Sequence, residues 1–590
     1  MVKADTEVLV HRKRMYRTQT PMHDDRHELS LVFEGEAGQG IQTVTAAILP
    51  ILKNCGYHLF SCTEYMSRIR GGSNTTEIRI TGKRRAAFTS RIDVLFAMSP
   101  LAYERLQTRI GLDTLIFTDR ERYRGQWGDH CHDMPVNMLA RQAGGGVYAN
   151  TVVAGAALGL LGIPADLIAK YLKEKFAAKG ESVVAGNIRA AELGYEFIRK
   201  ISPAISIPLP APMPTDGEDR LLMDGNAAIG IGAVLAGCNF ISSYPMSPGT
   251  GLLTFLASHA ADFGIVVEQA EDEIAAINSG LGAAYAGARS IVSTSAGGFD
   301  LMQEGVSLAG MIETPIVIHI GQRPGPATGL PTRTEQGDLS LVLHAGHGDF
   351  ARALFAPGTT GEIVETMQTA FNLAHRFQIP VFMLTDQFLL DAVSAVDPSE
   401  VSRQPVDMPL VETTAGYRRF AFTDDGLSPR GVPGHGDGVV RVDSDEHDEQ
   451  GLITESFEIR RRMVEKRLKR LQPLREAALN PTRISRVEEA GTLVICWGSN
   501  RGVVEEALDL LGSAKIAGLH FTQVYPLNPA INPLMENRRI VVVENNATGQ
   551  FADLLTLQAG RPVDRRILKA TGEPFTVEEV LAALREEDHG

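Results

Sequence analysis

The stretch IVVEQAEDEIAAINSGLGAAYAG, Ile265 to Gly287, constrains the fold of this chain more than any other. Ile265, Val266 and Val267 are short and β-branched, the composition of a buried parallel strand. Ala275 to Ala286 has the composition of a helix whose backbone is approached closely by something else. Between them stand Glu268, Glu271, Asp272 and Glu273. Acidic residues favour the first turn of a helix, where free N–H groups and the macrodipole stabilise negative charge, and that accounts for two or three of the four. Helical phase puts Glu273 on the face of Ile277, Gly280, Leu281 and Ala284, so its carboxyl is expected to be buried, satisfied by a partner or held partly protonated. Almost every face of this helix is apolar, so phase alone selects weakly between a plain helix start and a chemical role for Glu273.

Strand and helix patterns alternate on both sides of this stretch. Leu221 to Met223, a helix through Ala236, Phe240 to Ser243, Ile291 to Thr294, Ile316 to Ile320, Ala353 to Phe355 and Val381 to Thr385 read as one sheet wound with helices. Earlier, Leu29 to Phe33 runs into the glycine turn GEAGQG and a helical pattern from Ile41 to Asn54. Later, Leu493 to Trp497, a helix through Leu511, Ala517 to Gln523 and Ile540 to Glu544 repeat the theme before NNATGQFADLL. The expected fold class is α/β and multi-domain, with doubly wound, mostly parallel sheets. At 590 residues, 44% hydrophobic and 22% charged, the chain has room for three or four such domains. The proline-rich run PAISIPLPAPMPTDGE, 203–218, marks a semi-rigid linker. The expected units are a loose arm over 1–27, a first domain over 28–202, a second over 219–411, an extended connection with a charged helix over 412–488, and a last domain over 489–590. The charged helix, Glu455 to Glu476, is expected to present a solvated face, with Pro473 ending or kinking it.

A net charge of −14 with no basic stripe argues against nucleic acid as a principal partner. Cys55, Cys62, Cys131, Cys238 and Cys496 are scattered and odd in number, which indicates neither a disulfide framework nor a cluster-binding site, and suits a reducing cytoplasm. The longest apolar run, Val152 to Ile163, is too short to span a bilayer and reads as a buried helix, and the arm lacks the apolar centre of a signal peptide. His344 and His347 in LHAGHGDF, with one aspartate beyond, are too few for a metal site; His347 is kept only as a possible contact.

The turn GEAGQG, Gly35 to Gly40, sits between a strand and a helix start, where backbone N–H groups and the helix dipole converge on an anion. Alone it is equally a plain glycine turn. Downstream, SCTEYMSRIRGGSNTTEIRI places Arg68, Arg70, Gly71 and Gly72 in a loop before an alternating strand, and surface arginines on a solvated turn explain that pattern too. In the second domain the carboxyl ends of the strands, where ligands collect on such sheets, carry Tyr244, Ser247, Glu273, Ser295 and the loop Gly321 to Asp338. That loop holds Arg323 and Arg333, and a planar guanidinium can grip a carboxylate with two parallel bonds.

Four blocks in order, ISSYPMSPGTG, the Glu273 stretch, STSAGGFDLM and PATGLPTRTEQGDL, resemble the pyrimidine-binding domain of the 2-oxoacid:ferredoxin oxidoreductases. GEAGQG and RIRGG together resemble the gamma subunit of the same family, here fused in front. The resemblance implies that Glu273 hydrogen-bonds the aminopyrimidine ring of thiamine diphosphate, with Pro245 and Ser295 beside the cofactor. A carboxylate there favours the ring form that takes the thiazolium proton. It also implies that Tyr244, Ser247, Thr332 and Arg333 hold the substrate, Arg333 at its carboxylate. Ser247 stands where the family's motif usually has threonine; the hydroxyl is kept and the orienting methyl is lost. Gly35, Gly38, Gln39, Gly40 and Arg70 are implied in coenzyme A binding. The last domain resembles the transketolase carboxyl-terminal domain.

The family's diphosphate motif has no convincing copy: GHGDGVV, Gly434 to Val440, falls in the irregular connection. The resemblance therefore implies a beta subunit carrying the diphosphate site, Mg2+ and the iron–sulfur cluster, in a dimer of alpha-beta heterodimers that passes electrons to ferredoxin. The implied reaction is reversible oxidative decarboxylation of an oxoacid to an acyl-coenzyme A. PTRTEQGDL looks closer to enzymes of 2-oxoglutarate than of pyruvate, with branched-chain and aryl oxoacids open. A non-oxidative thiamine enzyme would need the diphosphate motif on this chain. A nicotinamide dehydrogenase built on GEAGQG, with Glu64 as ribose ligand, explains nothing after Pro203, and a non-catalytic scaffold or partner subunit has no need of Glu273.

Overall fold

The computed structural model describes residues 5–8, 28–36, 41–66, 72–123, 127, 131–201, 219–485, 487 and 490–589. They form two compact units. One runs to Met223 and includes the return segment Ala392–Pro398; the other comprises Asp224–Asp391 and the chain from Ser399, with the first residues of the chain. The proline-rich run lies outside the described residues.

The N-terminal unit is built on an eight-stranded sheet in the order Cys131–Asp133, Leu115–Thr118, Val94–Ala97, Glu28–Glu36, Ser73–Thr81, His58–Glu64, Val393–Val396, Leu221–Asp224. The first four strands are parallel, as expected. Ser73–Thr81 is antiparallel to both Glu28–Glu36 and His58–Glu64, and Val393–Val396 to His58–Glu64. The segment 65–72 that joins His58–Glu64 to Ser73–Thr81 is shorter than the dozen or more residues a parallel crossover needs. Leu221–Asp224, expected to open the second domain's sheet, instead closes the edge of this one. The run at Val152 is a buried helix, Ala149–Leu160, packed on Glu181–Ile201. A Cβ on Gly155 would strike the backbone of Ala191, and one on Gly194 the carbonyl of Val152, so these glycines set the closeness of the crossing. Helix Ile41–Asn54 contains Pro50, which has no N–H to give Ala46. The freed Ala46 carbonyl accepts instead from Tyr171 Oη and Lys175 Nζ, each at 2.8 Å.

The second unit carries two sheets. The larger contains β1 (Phe240–Ser243), β2 (Val266–Gln269), β3 (Ser290–Ser295), β4 (Ile316–Gln322), β5 (Ala353–Phe355), β6 (Pro380–Asp386) and β7 (Gln523–Tyr525), ordered β2-β1-β3-β4-β6-β5-β7. All pairs are parallel except β5–β7. The smaller is ordered Asp5–Val8, Arg565–Leu568, Arg539–Glu544, Thr492–Trp497, Ile516–Phe521, Thr482–Arg483, antiparallel only at the last pair. Asp5–Val8, read as part of a loose arm, is thus an edge strand. One apolar core joins both sheets, with Ile277, Phe299 and Phe382 in the same cluster as Ile495, Trp497 and Phe551.

The connection is ordered and bolted to this core, and the charged helix is far from wholly solvated. It forms as Phe457–Lys469 and Leu471–Glu476, with Lys466 and Arg470 each 2% exposed. Lys466 Nζ lies 2.7 Å from both carboxyl oxygens of the fully buried Glu313, and Arg470 bonds the same carboxylate. Arg419 donates to Glu313 O at 2.6 Å, and Arg470 to the Phe377 and Gln378 carbonyls at 3.3 and 3.1 Å. These cations sit at the carboxyl ends of helices Gln303–Met311 and Thr360–Phe377, where orphan carbonyls and the dipole favour positive charge. Burial raises the Glu313 carboxyl, but Arg470, Lys466 and Arg419 outweigh it and hold the group well below the usual carboxylate range. Among the described residues no single helix is long and apolar enough to cross a membrane.

Candidate functional site

Because β1, β2, β3 and β4 run parallel, their carboxyl ends meet along one edge, and the loops leaving Ser243, Gln269, Ser295 and Gln322 converge there. Of the four carboxylates at the end of β2 and just beyond it, Asp272 caps the next helix, accepting from Ala275 N at 2.8 Å, while Glu268 and Glu271 face solvent. Glu273 opens that helix, Glu273–Tyr285, and is 3% exposed. Its Oε1 is shut off from solvent and has no hydrogen-bond partner. A Cβ on Gly298 would collide with this oxygen and with Thr294 Oγ1. Glycine is therefore required where the turn after β3 passes the carboxyl. Ser295, at the end of β3, also has a buried Oγ without a partner.

Behind these groups a buried polar relay crosses three strands. Thr385 Oγ1 lies 2.8 Å from His319 Nε2, His319 Nδ1 lies 2.9 Å from Ser293 Oγ, and Ser293 Oγ donates to Gly249 O at 2.8 Å. Since the serine proton goes to Gly249, Nδ1 must carry the imidazole proton and Nε2 must accept from Thr385. His319 is fully buried, and that burial pushes its pKa down to about 3, so it is a neutral strut. Its far end is the loop of Tyr244, Pro245 and Ser247. Tyr244 is 37% exposed, Pro245 half-buried and Ser247 exposed.

Arg323, directly after β4, donates from Nη1 to Ser247 O at 2.6 Å and so ties the two loops together. Burial lowers the Arg323 pKa and the charge of Asp338 opposes the shift. The rest of the loop is fixed to the smaller sheet's side. Thr334 N donates to Gly572 O at 3.2 Å, Gln336 Nε2 to Trp497 O at 2.9 Å, and Gln336 Oε1 accepts from Asn500 Nδ2 at 2.7 Å and Asn545 N at 3.1 Å. Arg333 stands where the loop abuts Gly572, with Thr332 beside it. NNATGQ is an anchor for this loop: Asn546 Nδ2 donates to Gln336 O at 3.1 Å, and Glu544 caps the following helix by accepting from Phe551 N and Ala552 N at 2.8 and 2.9 Å.

His347 is exposed, bonded through its backbone to Ser307. The GHGDG run is held by Thr413, which receives the N–H groups of Asp437 and Gly438. In the N-terminal unit, Gly35 pairs with Asn74 in the sheet, whereas Gly38, Gln39, Gly40 and Arg70 lie outside the described residues. The structure thus brings Glu273, Ser295, Ser247 and the Arg323 loop to one edge. Sequence reading passed over Gly298, His319, Gln336 and Asp338, and left Arg323 without a role, although Arg323 follows a strand directly as ligand-bearing residues do.

The family model described as pyruvate flavodoxin/ferredoxin oxidoreductase, thiamine diphosphate-binding, matches residues 231–466, the part that contains Glu273 and the charged helix. The model described as pyruvate ferredoxin/flavodoxin oxidoreductase matches residues 30–197. The 2-oxoglutarate synthase subunit KorA of Archaeoglobus fulgidus is 30% identical over 56% of this chain and 88% of its own length. The chain belongs to the 2-oxoacid:ferredoxin oxidoreductase family. A 2-oxoacid:ferredoxin oxidoreductase alpha subunit from a Sulfolobus species is 29% identical over 94% of this chain and 96% of its own length. A solved 2-oxoglutarate:ferredoxin oxidoreductase from Magnetococcus marinus, with 2-oxoglutarate, coenzyme A and succinyl-CoA bound, superposes with a TM-score of 0.88 at 28% identity, covering 95% of this chain and all of that one. In this member of the oxidoreductase family one chain carries both matched parts, and the thiamine diphosphate-binding part is the one built around Glu273.

Proposed function

We propose that this chain is the alpha-type subunit, with a fused gamma-type domain, of an oxidoreductase that converts 2-oxoglutarate and coenzyme A to succinyl-CoA and carbon dioxide while reducing ferredoxin, and that the reaction runs in either direction. The observation that carries this reading is the sealed Oε1 of Glu273, unpartnered among the described residues, at the edge where the parallel strands end. An orphaned buried carboxyl oxygen costs stability unless a ligand supplies its partner, and the aminopyrimidine of thiamine diphosphate fits that need. When bound, that cofactor supplies the carbon nucleophile and electron sink for decarboxylation. With it bound, the Glu273 carboxyl would hydrogen-bond the ring, and Pro245 and Ser295 would lie beside it. Ser247 and Tyr244 receive the oxoacid from the loop that the His319 relay holds. The tie to Ser247 favours Arg323 for the substrate carboxylate, with Arg333 and Thr332 further along the same loop.

The same reading keeps Gly35, Gly38, Gln39, Gly40 and Arg70 for coenzyme A. It gives the diphosphate end, Mg2+ and the iron–sulfur cluster to a beta subunit, in a dimer of alpha-beta heterodimers. The relatives named as alpha subunits support a multi-subunit enzyme. Five free thiols suit action in the cytoplasm. The test is dye reduction by the purified complex. Viologen reduction that requires coenzyme A and prefers 2-oxoglutarate supports the reading. Preference for pyruvate or a branched-chain oxoacid overturns the substrate alone. A thiamine-loaded complex that no oxoacid can drive overturns the reaction.

A further inference from the structure

Asp338 stands at the second foot of the loop whose first foot is Arg323. Its backbone N–H donates to Gln322 Oε1 at 3.2 Å, which closes the loop at its base. Its Oδ2 is shut off from solvent and has no hydrogen-bond partner. A lone buried carboxylate is costly, so the group must take a proton, find a cation or wait for a ligand. The charged side chains that act on it are Glu335 from the same loop, Asp300 from the turn after β3, and Arg323. Arg323 in turn donates from Nη1 to Ser247 O.

We propose that Asp338 is a positioning residue for Arg323, setting the local charge in which that guanidinium meets the carboxylate of the oxoacid. The idea rests on the functional reading above, which gives the site an oxoacid. With a proton on Asp338, the positive charge of Arg323 is unopposed and available to the substrate. Without it, a carboxylate inside the same loop competes with the substrate for the guanidinium. Burial, then the negative charges of Glu335 and Asp300, raise the Asp338 pKa, and Arg323 only partly offsets them, leaving it at about 7. The folded-state pKa is raised, so Asp338 is neutral below about pH 7 and charged above it. Oxoacid binding is therefore tightest on the acid side and weakens as pH rises through that value.

The experiment is the KM for 2-oxoglutarate of the complete complex, by dye reduction, across about pH 6 to 8.5. In the wild type KM is expected to rise by up to roughly tenfold per pH unit beyond the Asp338 pKa. In Asp338→Asn, which keeps the shape and cannot ionise, the ratio of KM at the two ends is expected to fall to about one. Glu335→Gln removes one of the charges that hold the proton on Asp338, so the rise should begin at lower pH. That shift is one that a merely structural role for the loop would not produce, and it keeps the test open if Asp338→Asn does not fold. A wild-type KM that is flat with pH, or an Asp338→Asn profile that tracks the wild type, overturns the positioning role while leaving the reaction in place. Absence of oxoacid-driven reduction at every pH overturns the functional reading on which it rests.

Discussion

Glu273 and Glu313 lie in the same unit, 3% and 0% exposed, each at the end of a helix, and their surroundings differ in kind. Glu313 is saturated: Lys466 and Arg470 bond its carboxyl, and Arg419 takes its backbone carbonyl. Glu273 is left with an oxygen that none of the described residues satisfies, at the edge where four parallel strands end. A buried carboxylate needs compensation. Where the described residues supply all of it, the group is structural; where they leave an oxygen unpaired, the group is a candidate for a partner from outside. This difference can be tested at either glutamate.

The largest effect is expected at the unsatisfied one. Glu273→Gln keeps the size and removes the proton-holding group, so turnover of the complex should fall on the order of 10²–10⁴-fold. Little internal bonding is lost, and the thermal midpoint should move by no more than about 3 °C. Turnover within tenfold of wild type would remove Glu273 from the chemistry. A collapse of stability would make it a second Glu313.

The next largest effect is the mirror image. Glu313→Gln leaves Lys466 and Arg470 buried without their counter-charge, which should cost about 3–5 kcal/mol of stability, measured by denaturant unfolding. The sign with pH is fixed by the direction of the shift. The folded-state pKa is depressed from 4.5, so the stabilisation is fully present above that value and is lost as pH falls below it. The variant should lack that acid slope. A Glu313→Gln chain as stable as wild type would show that the helix-end carbonyls alone hold the cations.

These two glutamates also mark what could be read in the chain. The Glu273 helix was legible because its signals are local: a β-branched strand, clustered acids and a run of small residues within 23 positions. The partners of Glu313 are 153 and 157 residues away, and no periodicity in the charged helix announces that two of its cations turn inward. The same distance hid Gln336, whose partners lie more than 160 residues downstream. It also hid the edge strand Asp5–Val8, whose pairing with Arg565–Leu568 is set by the far end of the chain. Strand alternation, by contrast, gave β1 to β6 nearly to the residue. Leu221–Asp224 was assigned to the wrong sheet because the alternating pattern fixes an element, not its neighbour.

The smallest effect tests a group between the two extremes. His319 is as buried as Glu313, but it is neutral and exactly satisfied, with one donor and one acceptor. Its folded-state pKa is depressed from 6.5 to about 3, so the unfolded chain binds the proton more readily, and stability is lost as pH falls from about 6.5 towards 3. His375 and His520 are shifted the same way and share that slope. His319→Gln keeps a donor and an acceptor and does not titrate, so the slope should become shallower without vanishing. Losing the straight strut to Ser293 should cost about 1–3 kcal/mol at neutral pH. Because the relay ends on Gly249, two residues beyond Ser247, KM for the oxoacid should rise more than kcat falls. An equal loss in both would place the strut under the chemistry at Glu273, and no change in either would confine His319 to holding β3, β4 and β6 in register.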